Sequence, residues 1–123
     1  PAAALADVPT ELVARYFEGR DGTFEVRKAL RGLVVFGSHD LANRAPFPHT
    51  DLVLCRNVLI YFTPELQRRA LEIFAYSLRD GGYLALGKSE TPRPVDDAFV
   101  TVDRHLRLYR RAGPRVLLPP ARL

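Results

Sequence analysis

Arg56 and Asn57 stand where an apolar run, Leu52-Val-Leu-Cys55, breaks off, and Tyr61 follows four residues after Asn57. An arginine brings a charged fork of donors, an asparagine both donates and accepts, and a tyrosine adds a hydroxyl, so the set is equipped to bind a polar ligand. In open α/β sheets ligands lie outside the carboxyl ends of strands, which makes polar residues at the end of a buried strand candidates for a site. The other reactive types are less promising. Cys55, the single cysteine, sits within the apolar run with no basic neighbour beyond Arg56, and reads as a packed thiol. His39, His49 and His105 are scattered through loop and turn sequence and read as structural or surface residues. With no second cysteine and no clustered histidines, neither a disulfide nor a metal site is expected. Ser89 and Glu90 follow a later apolar run and read as a site rim, with Glu90 as a general base the lesser alternative.

The elements that must position these residues are legible in part. Residues 51–55 predict a buried strand. Thr63-Pro64 opens the best helix, with Thr63 as N-cap and Pro64 at the first helical position. Leu66, Ala70, Ile73, Phe74 and Leu78 share one face of it, while Glu65 and Arg69 form an i,i+4 pair on the wet side. Asp80-Gly81-Gly82 is expected to end the helix, and residues 83–86 to form the next buried strand. Strand, helix and strand within about 40 residues match a right-handed βαβ crossover, so the sheet is at least partly parallel. Upstream, residues 7–19 predict a short helix with Pro9 in its first turn and Gly19 as its stop. Leu12, Val13, Tyr16 and Phe17 form its apolar face. Residues 23–27 and 32–36 predict strands, and residues 38–50 a loop. Downstream, residues 99–102 and 106–110 predict a terminal hairpin, and residues 113–123 an exit linker.

Composition bounds the class. The chain has 123 residues, 47% hydrophobic and 26% charged, enough for one domain or part of one. No apolar stretch approaches the roughly 20 residues that cross a bilayer, and the start lacks signal-peptide regions, so no membrane insertion and a cytoplasmic location are expected. The sequence contains no methionine, which suggests a piece of a longer polypeptide. The net charge of +4 gathers near the end in Arg104, Arg107, Arg110, Arg111 and Arg115. Their alternation with Leu106, Leu108 and Tyr109 favours a charge-protected edge strand over a nucleic-acid surface.

Arg15-Tyr16-Phe17, Val35-Phe36 leading to His39-Asp40-Leu41, residues 51–62, the Gln67 helix ending at Asp80-Gly81-Gly82, and Leu86-Gly87-Lys88-Ser89-Glu90 together resemble the CheR-type protein-glutamate O-methyltransferases. The resemblance spans most of residues 7–111, and the run Cys55-Arg-Asn-Val-Leu-Ile-Tyr-Phe62 is its most specific part. It implies an α/β fold: a partial class I, Rossmann-like methyltransferase sheet, mostly parallel with a C-terminal antiparallel hairpin. Residues 1–112 would be the C-terminal part of that domain, with a β-subdomain at about 19–36. It implies S-adenosylmethionine as cofactor, S-adenosylhomocysteine as product, and the cytoplasmic domain of a methyl-accepting chemoreceptor as partner. On the matching positions, Asp40, Leu41, Arg56 and Asn57 would contact the cofactor, and Tyr61 would act as the catalytic residue that orients the acceptor carboxylate. Many members of the family carry asparagine where this chain has Asp40, which accepts from an adenine amino group but does not donate. The connection through Asp21-Gly22 looks shorter than in members that dock a receptor's C-terminal peptide, so no tethering peptide is expected.

Each residue has a plainer alternative. Arg56 could be an ion-pair residue for Asp51 or Glu90, Asn57 a cap for the turn 58–61, and Tyr61 a core aromatic. The family's Gly-rich cofactor turn is absent from this sequence, so the missing N-terminal half of the domain is an expected partner, and the isolated piece is expected to bind cofactor weakly and to be inactive. A non-catalytic sensory or docking module of a larger signalling protein is the alternative function. A nucleic-acid-binding domain and a dehydrogenase are disfavoured, the latter because no dinucleotide fingerprint is present.

Overall fold

The structure is a computed structural model, and it describes residues 1–37 and 48–113. The chain divides into two units, Pro1–Ser38 and His39–Leu123. Asp40 and Leu41 lie outside the described residues, as does the expected linker beyond Gly113.

In the first unit a 3-10 turn, Ala2–Leu5, precedes helix α1 (Thr10–Tyr16). Pro9 is the N-cap of α1 rather than part of its first turn. Strands β1 (Phe17–Arg20) and β2 (Thr23–Val26) pair antiparallel, and Lys28–Arg31 forms the single turn α2. Asp21 and Gly22 at φ 47° and 78° make the two-residue connection, the geometry of the hairpin turn that matches strand twist. Gly19 is therefore not a helix stop. It lies in β1 opposite Phe24, whose ring would stand 3.2 Å from any Cβ there. Arg27–Glu18 and Arg31–Glu25 ion pairs, at 3.2 and 3.0 Å, lie on the surface. The strand expected at 32–36 does not form. Leu33, Val34, Val35 and Phe36 are exposed, with Val35 and Phe36 at 94%. Their apolar character is that of a strand, but no described strand runs beside them to accept their backbone groups.

The second unit carries the core. Four strands lie in the order β3-β4-β6-β5: β3 (Thr50–Cys55), β4 (Leu78–Leu86), β5 (Phe99–Asp103) and β6 (Leu108–Arg111). β3 and β4 are parallel and joined by helix α3 (Pro64–Ser77), as a βαβ unit requires. The other two pairings are antiparallel. The α/β class and the C-terminal hairpin thus stand, but among the described residues the balance is antiparallel, because the hairpin contributes both remaining pairings.

Thr63 caps α3, its Oγ1 accepting from the Leu66 amide at 3.3 Å, and Pro64 occupies the first position where its missing N–H costs nothing. The buried face of α3, Ala70, Leu71, Phe74 and Ala75, packs with Cys55, Leu59, Leu84, Leu86 and Tyr109. The helix ends at Ser77, before Asp80-Gly81-Gly82, because Leu78 is already in strand geometry and opposite Thr50. A register shift between Thr50 and Leu52 absorbs the extra residues, and Gly81 adopts φ 80° there. Arg79 pairs with Asp51 across the two strands at that point.

Two expectations change. β3 is not buried throughout: Leu52 and Leu54 are 56% and 68% exposed, and only Cys55 is buried, since β3 is the edge of the described sheet. Arg110 and Arg111 do not guard an edge either. β6 is an interior strand, and Arg111 is 4% exposed with its Nε donating to the Ala75 carbonyl at 2.9 Å, close to the carboxyl end of α3.

Candidate functional site

Because β3 and β4 run in parallel and Cys55 pairs with Leu86, the chain leaves both strands side by side, as Arg56-Asn57 on one and Gly87-Lys88 on the other. A 3-10 turn, Leu59–Tyr61, begins one residue beyond Asn57, with Val58 between them. Leu59, at 2% exposure, plugs this turn into the core. Arg56, Asn57 and Tyr61 are all left exposed on the same short segment, and Tyr61 is 81% exposed. Tyr61 is thus no core aromatic. An open depression of about 470 Å³ lies beside the segment, lined by Val53, Leu54, Cys55, Arg56, Val58 and Phe74.

Arg56 has no ion-pair partner among the described residues. Asp51 pairs with Arg79, and the Glu90 carboxylate is committed elsewhere. The ion-pair alternative for Arg56 therefore finds no support. Nor does the Asn57 side chain cap the following turn. Asn57 instead takes a left-handed backbone at φ 59°, a conformation asparagine tolerates better than most residues.

The capping role falls to Glu90, from across the sheet end. Its Oε1 accepts from the Asn57 and Gly87 amides, each at 2.8 Å, and its Oε2 from the Val58 amide at 3.1 Å. Glu90 is 3% exposed. Burial pushes its pKa up, but backbone amides of Asn57, Gly87, Leu59 and Val58 together outweigh burial and hold it below its ordinary value. The carboxylate is ionised at neutral pH with its lone pairs engaged, which disfavours the general-base alternative. At the far end of the turn, Gln67 Nε2 donates to the Leu59 carbonyl at 2.7 Å and the Phe62 carbonyl at 3.2 Å. The segment 57–62 is thereby held at its amide end by Glu90 and at its carbonyl end by Gln67.

Gly87 makes the close approach possible. A Cβ at that position would stand 2.5 Å from Asn57 Oδ1, 2.6 Å from Glu90 Oε1 and 2.9 Å from the Asn57 nitrogen. Beneath the turn, Cys55 is 8% exposed, and burial, with the Glu90 charge adding to it, pushes its thiol up to about 11. It is a protonated packing residue. His49 and His105 lie outside the segment, and no metal-holding group of acids, histidines and cysteines occurs among the described residues.

Sequence reasoning brought Arg56, Asn57 and Tyr61 to one place but missed Gly87 and Gln67 and gave Glu90 a different task. The signals were present: a glycine directly after an apolar strand with an acid three residues on, and a glutamine in the first turns of a helix that follows a tight loop.

Residues 1–107 match the family model of the CheR methyltransferase, SAM-binding domain. The chain is 43% identical over 109 residues to an uncharacterized 104.1 kDa protein of Rhodobacter capsulatus, covering 89% of the chain and 11% of that protein. It is 39% identical over 101 residues to the putative methyltransferase Cher3 of Pseudomonas putida, covering 80% and 37%. It is 41% identical over 83 residues to a chemotaxis protein methyltransferase of Vibrio parahaemolyticus, covering 67% and 30%. The chain therefore spans well under half the length of each of these relatives. With the family model covering β3, α3, β4, β5 and the clamped turn after β3, the chain belongs to the CheR methyltransferase family, within its S-adenosylmethionine-binding domain.

Proposed function

We propose that the full-length protein carrying this chain transfers a methyl group from S-adenosylmethionine to glutamate side chains of a chemoreceptor's cytoplasmic domain. The observation that carries this reading is the placement of Arg56, Asn57 and Tyr61 on one clamped segment at the carboxyl ends of two parallel strands. The donor set fits the cofactor. An exposed arginine suits its carboxylate, an asparagine with both donor and acceptor suits its polar groups, and the depression beside β3 is lined largely by apolar side chains. Asp40 and Leu41 are assigned to the adenine side on the family pattern.

When bound, the cofactor supplies an electrophilic methyl on a sulfonium. The protein's own part is alignment. Arg56 and Asn57 hold the donor, and the Tyr61 hydroxyl, free of the core, donates to one oxygen of the incoming glutamate so that the other faces the methyl. Holding such a near-attack geometry is worth about 7–11 kcal/mol of barrier in well-aligned systems, and it needs no proton transfer from an ionised acceptor. The two-residue Asp21-Gly22 turn supports docking without a tethering peptide. Acting on a receptor's cytoplasmic domain, the protein would work in the cytoplasm. No helix among the described residues is long and apolar enough to cross a membrane.

The test is incubation of the full-length protein with methyl-labelled S-adenosylmethionine and receptor cytoplasmic fragments. Base-labile label on receptor glutamates is expected, and label that is absent or base-stable refutes the reading. A second reading, a non-catalytic methyltransferase-like module in a larger signalling protein, is favoured by the 104.1 kDa size of the Rhodobacter capsulatus relative. It predicts cofactor or receptor binding without transfer in the same experiment.

A further inference from the structure

The segment that presents Arg56, Asn57 and Tyr61 has no regular structure long enough to hold its own shape. Its 3-10 turn has three residues and no side-chain cap of its own, and Asn57 sits in the left-handed region. Such a segment keeps one conformation only if groups outside it satisfy its backbone. Two groups do so. Glu90 takes the amides of Asn57 and Val58 at 2.8 and 3.1 Å, and Gln67 gives to the carbonyls of Leu59 and Phe62 at 2.7 and 3.2 Å. Glu90 also takes the Gly87 amide at 2.8 Å, which ties the turn to β4 rather than to the loop alone.

We propose that Glu90 and Gln67 are positioning residues for methyl transfer, fixing the turn after β3 so that Arg56 and Asn57 meet the cofactor. Neither side chain is offered to a ligand: Glu90 is buried and its oxygens face backbone amides, and the Gln67 amide group faces backbone carbonyls. Both therefore act through the backbone of the segment. The proposal rests on the cofactor assignment made above, and its experiment separates the two.

In the full-length protein, S-adenosylhomocysteine binding is measured by calorimetry for the parent, Glu90→Gln, Gln67→Glu, Arg56→Ala and the Glu90→Gln/Arg56→Ala pair. Glu90→Gln turns an amide donor toward backbone donors, and Gln67→Glu turns a carboxylate toward carbonyls. Each is expected to weaken binding about tenfold, and Glu90→Gln to add clearly less than its full tenfold on top of Arg56→Ala, the Asn57 share of the effect remaining, because coupled residues are non-additive. Purely structural residues would lower the melting temperature while leaving the affinity of the folded protein within twofold, or would add fully to Arg56→Ala; either result overturns the proposal. If Glu90→Gln fails to fold, Gln67→Glu decides by its own affinity. Amide exchange gives an arm independent of cofactor. The Asn57, Val58 and Gly87 amides should exchange slowly in the parent and faster in Glu90→Gln, while Leu84 stays protected. Fast exchange in the parent overturns the proposal, whereas slow exchange with no cofactor binding sinks the functional reading and leaves the clamp standing.

Discussion

Adding one methyl group at Gly87 tests how closed the carboxyl end of β4 is. In the Gly87→Ala protein the new carbon begins 2.5 Å from Asn57 Oδ1, 2.6 Å from Glu90 Oε1 and 2.9 Å from the Asn57 nitrogen. The exposed Asn57 side chain can swing aside at little cost. The other two neighbours cannot. Oε1 is held between the Asn57 and Gly87 amides at 2.8 Å each, so a retreat of about 0.8 Å, to the edge of ordinary contact, breaks at least one of those bonds. Overpacking of this kind costs about 1–3 kcal/mol, and a weakened hydrogen bond to a charged group about 1.5–3 kcal/mol. With partial relaxation the expected destabilisation is about 2–4 kcal/mol. Urea denaturation of the parent and the variant, followed by circular dichroism, measures it directly. A loss below about 1 kcal/mol would show that the Gly87–Glu90–Asn57 contact yields easily, and the reasoning about this strand end would be wrong.

Other outcomes follow from the same structure. Leu84→Ala, at a position with 0% exposure, should cost about 2–5 kcal/mol in the same denaturation assay, and a loss under 1 would place Leu84 outside the core. The clamp has a pH signature. Glu90 has its pKa lowered by folding, so its contribution is complete above its unfolded value near 4.5 and is lost as pH falls through the lower folded value. The stability gap between the parent and Glu90→Gln should accordingly shrink below pH 4.5, and a gap that widens on acidification contradicts the sign. Cys55, its thiol raised to about 11, should react slowly with a disulfide reagent at pH 8, and rapid labelling of the folded protein would contradict its burial. Tyr61→Phe in the full-length protein should lower kcat about tenfold or more with little change in cofactor affinity; unchanged turnover refutes its role in orienting the acceptor.

Elements whose determinants are local are legible in the sequence. Thr63-Pro64 marks the start of α3, and the short turn expected over 58–61 forms at Leu59–Tyr61, though without the Asn57 side chain as its cap. The terminal hairpin also formed, because alternating side chains and a tight turn are contained within a dozen residues. What failed depended on neighbours that no local pattern names. Residues 32–36 have the composition of a strand, yet a strand exists only if another accepts its hydrogen bonds. The early end of α3 reflects the pairing of Leu78 with Thr50, which overrides the Gly81-Gly82 stop signal. Glu90 looked like a rim acid because its true partners are backbone amides 33 and 32 residues earlier, brought to it by the parallel pairing of β3 and β4. Gln67 was similarly silent, since its amide serves carbonyls rather than another side chain.

The proposed S-adenosylmethionine site has the turn after β3, held beside the end of β4, as one wall. Titrating S-adenosylhomocysteine into isotope-labelled full-length protein and following backbone amide resonances tests it most directly. The Arg56, Asn57, Val58 and Gly87 amides are expected to shift together at a common affinity, while those of β5 stay in place. Saturable binding that leaves these four amides unmoved would contradict it.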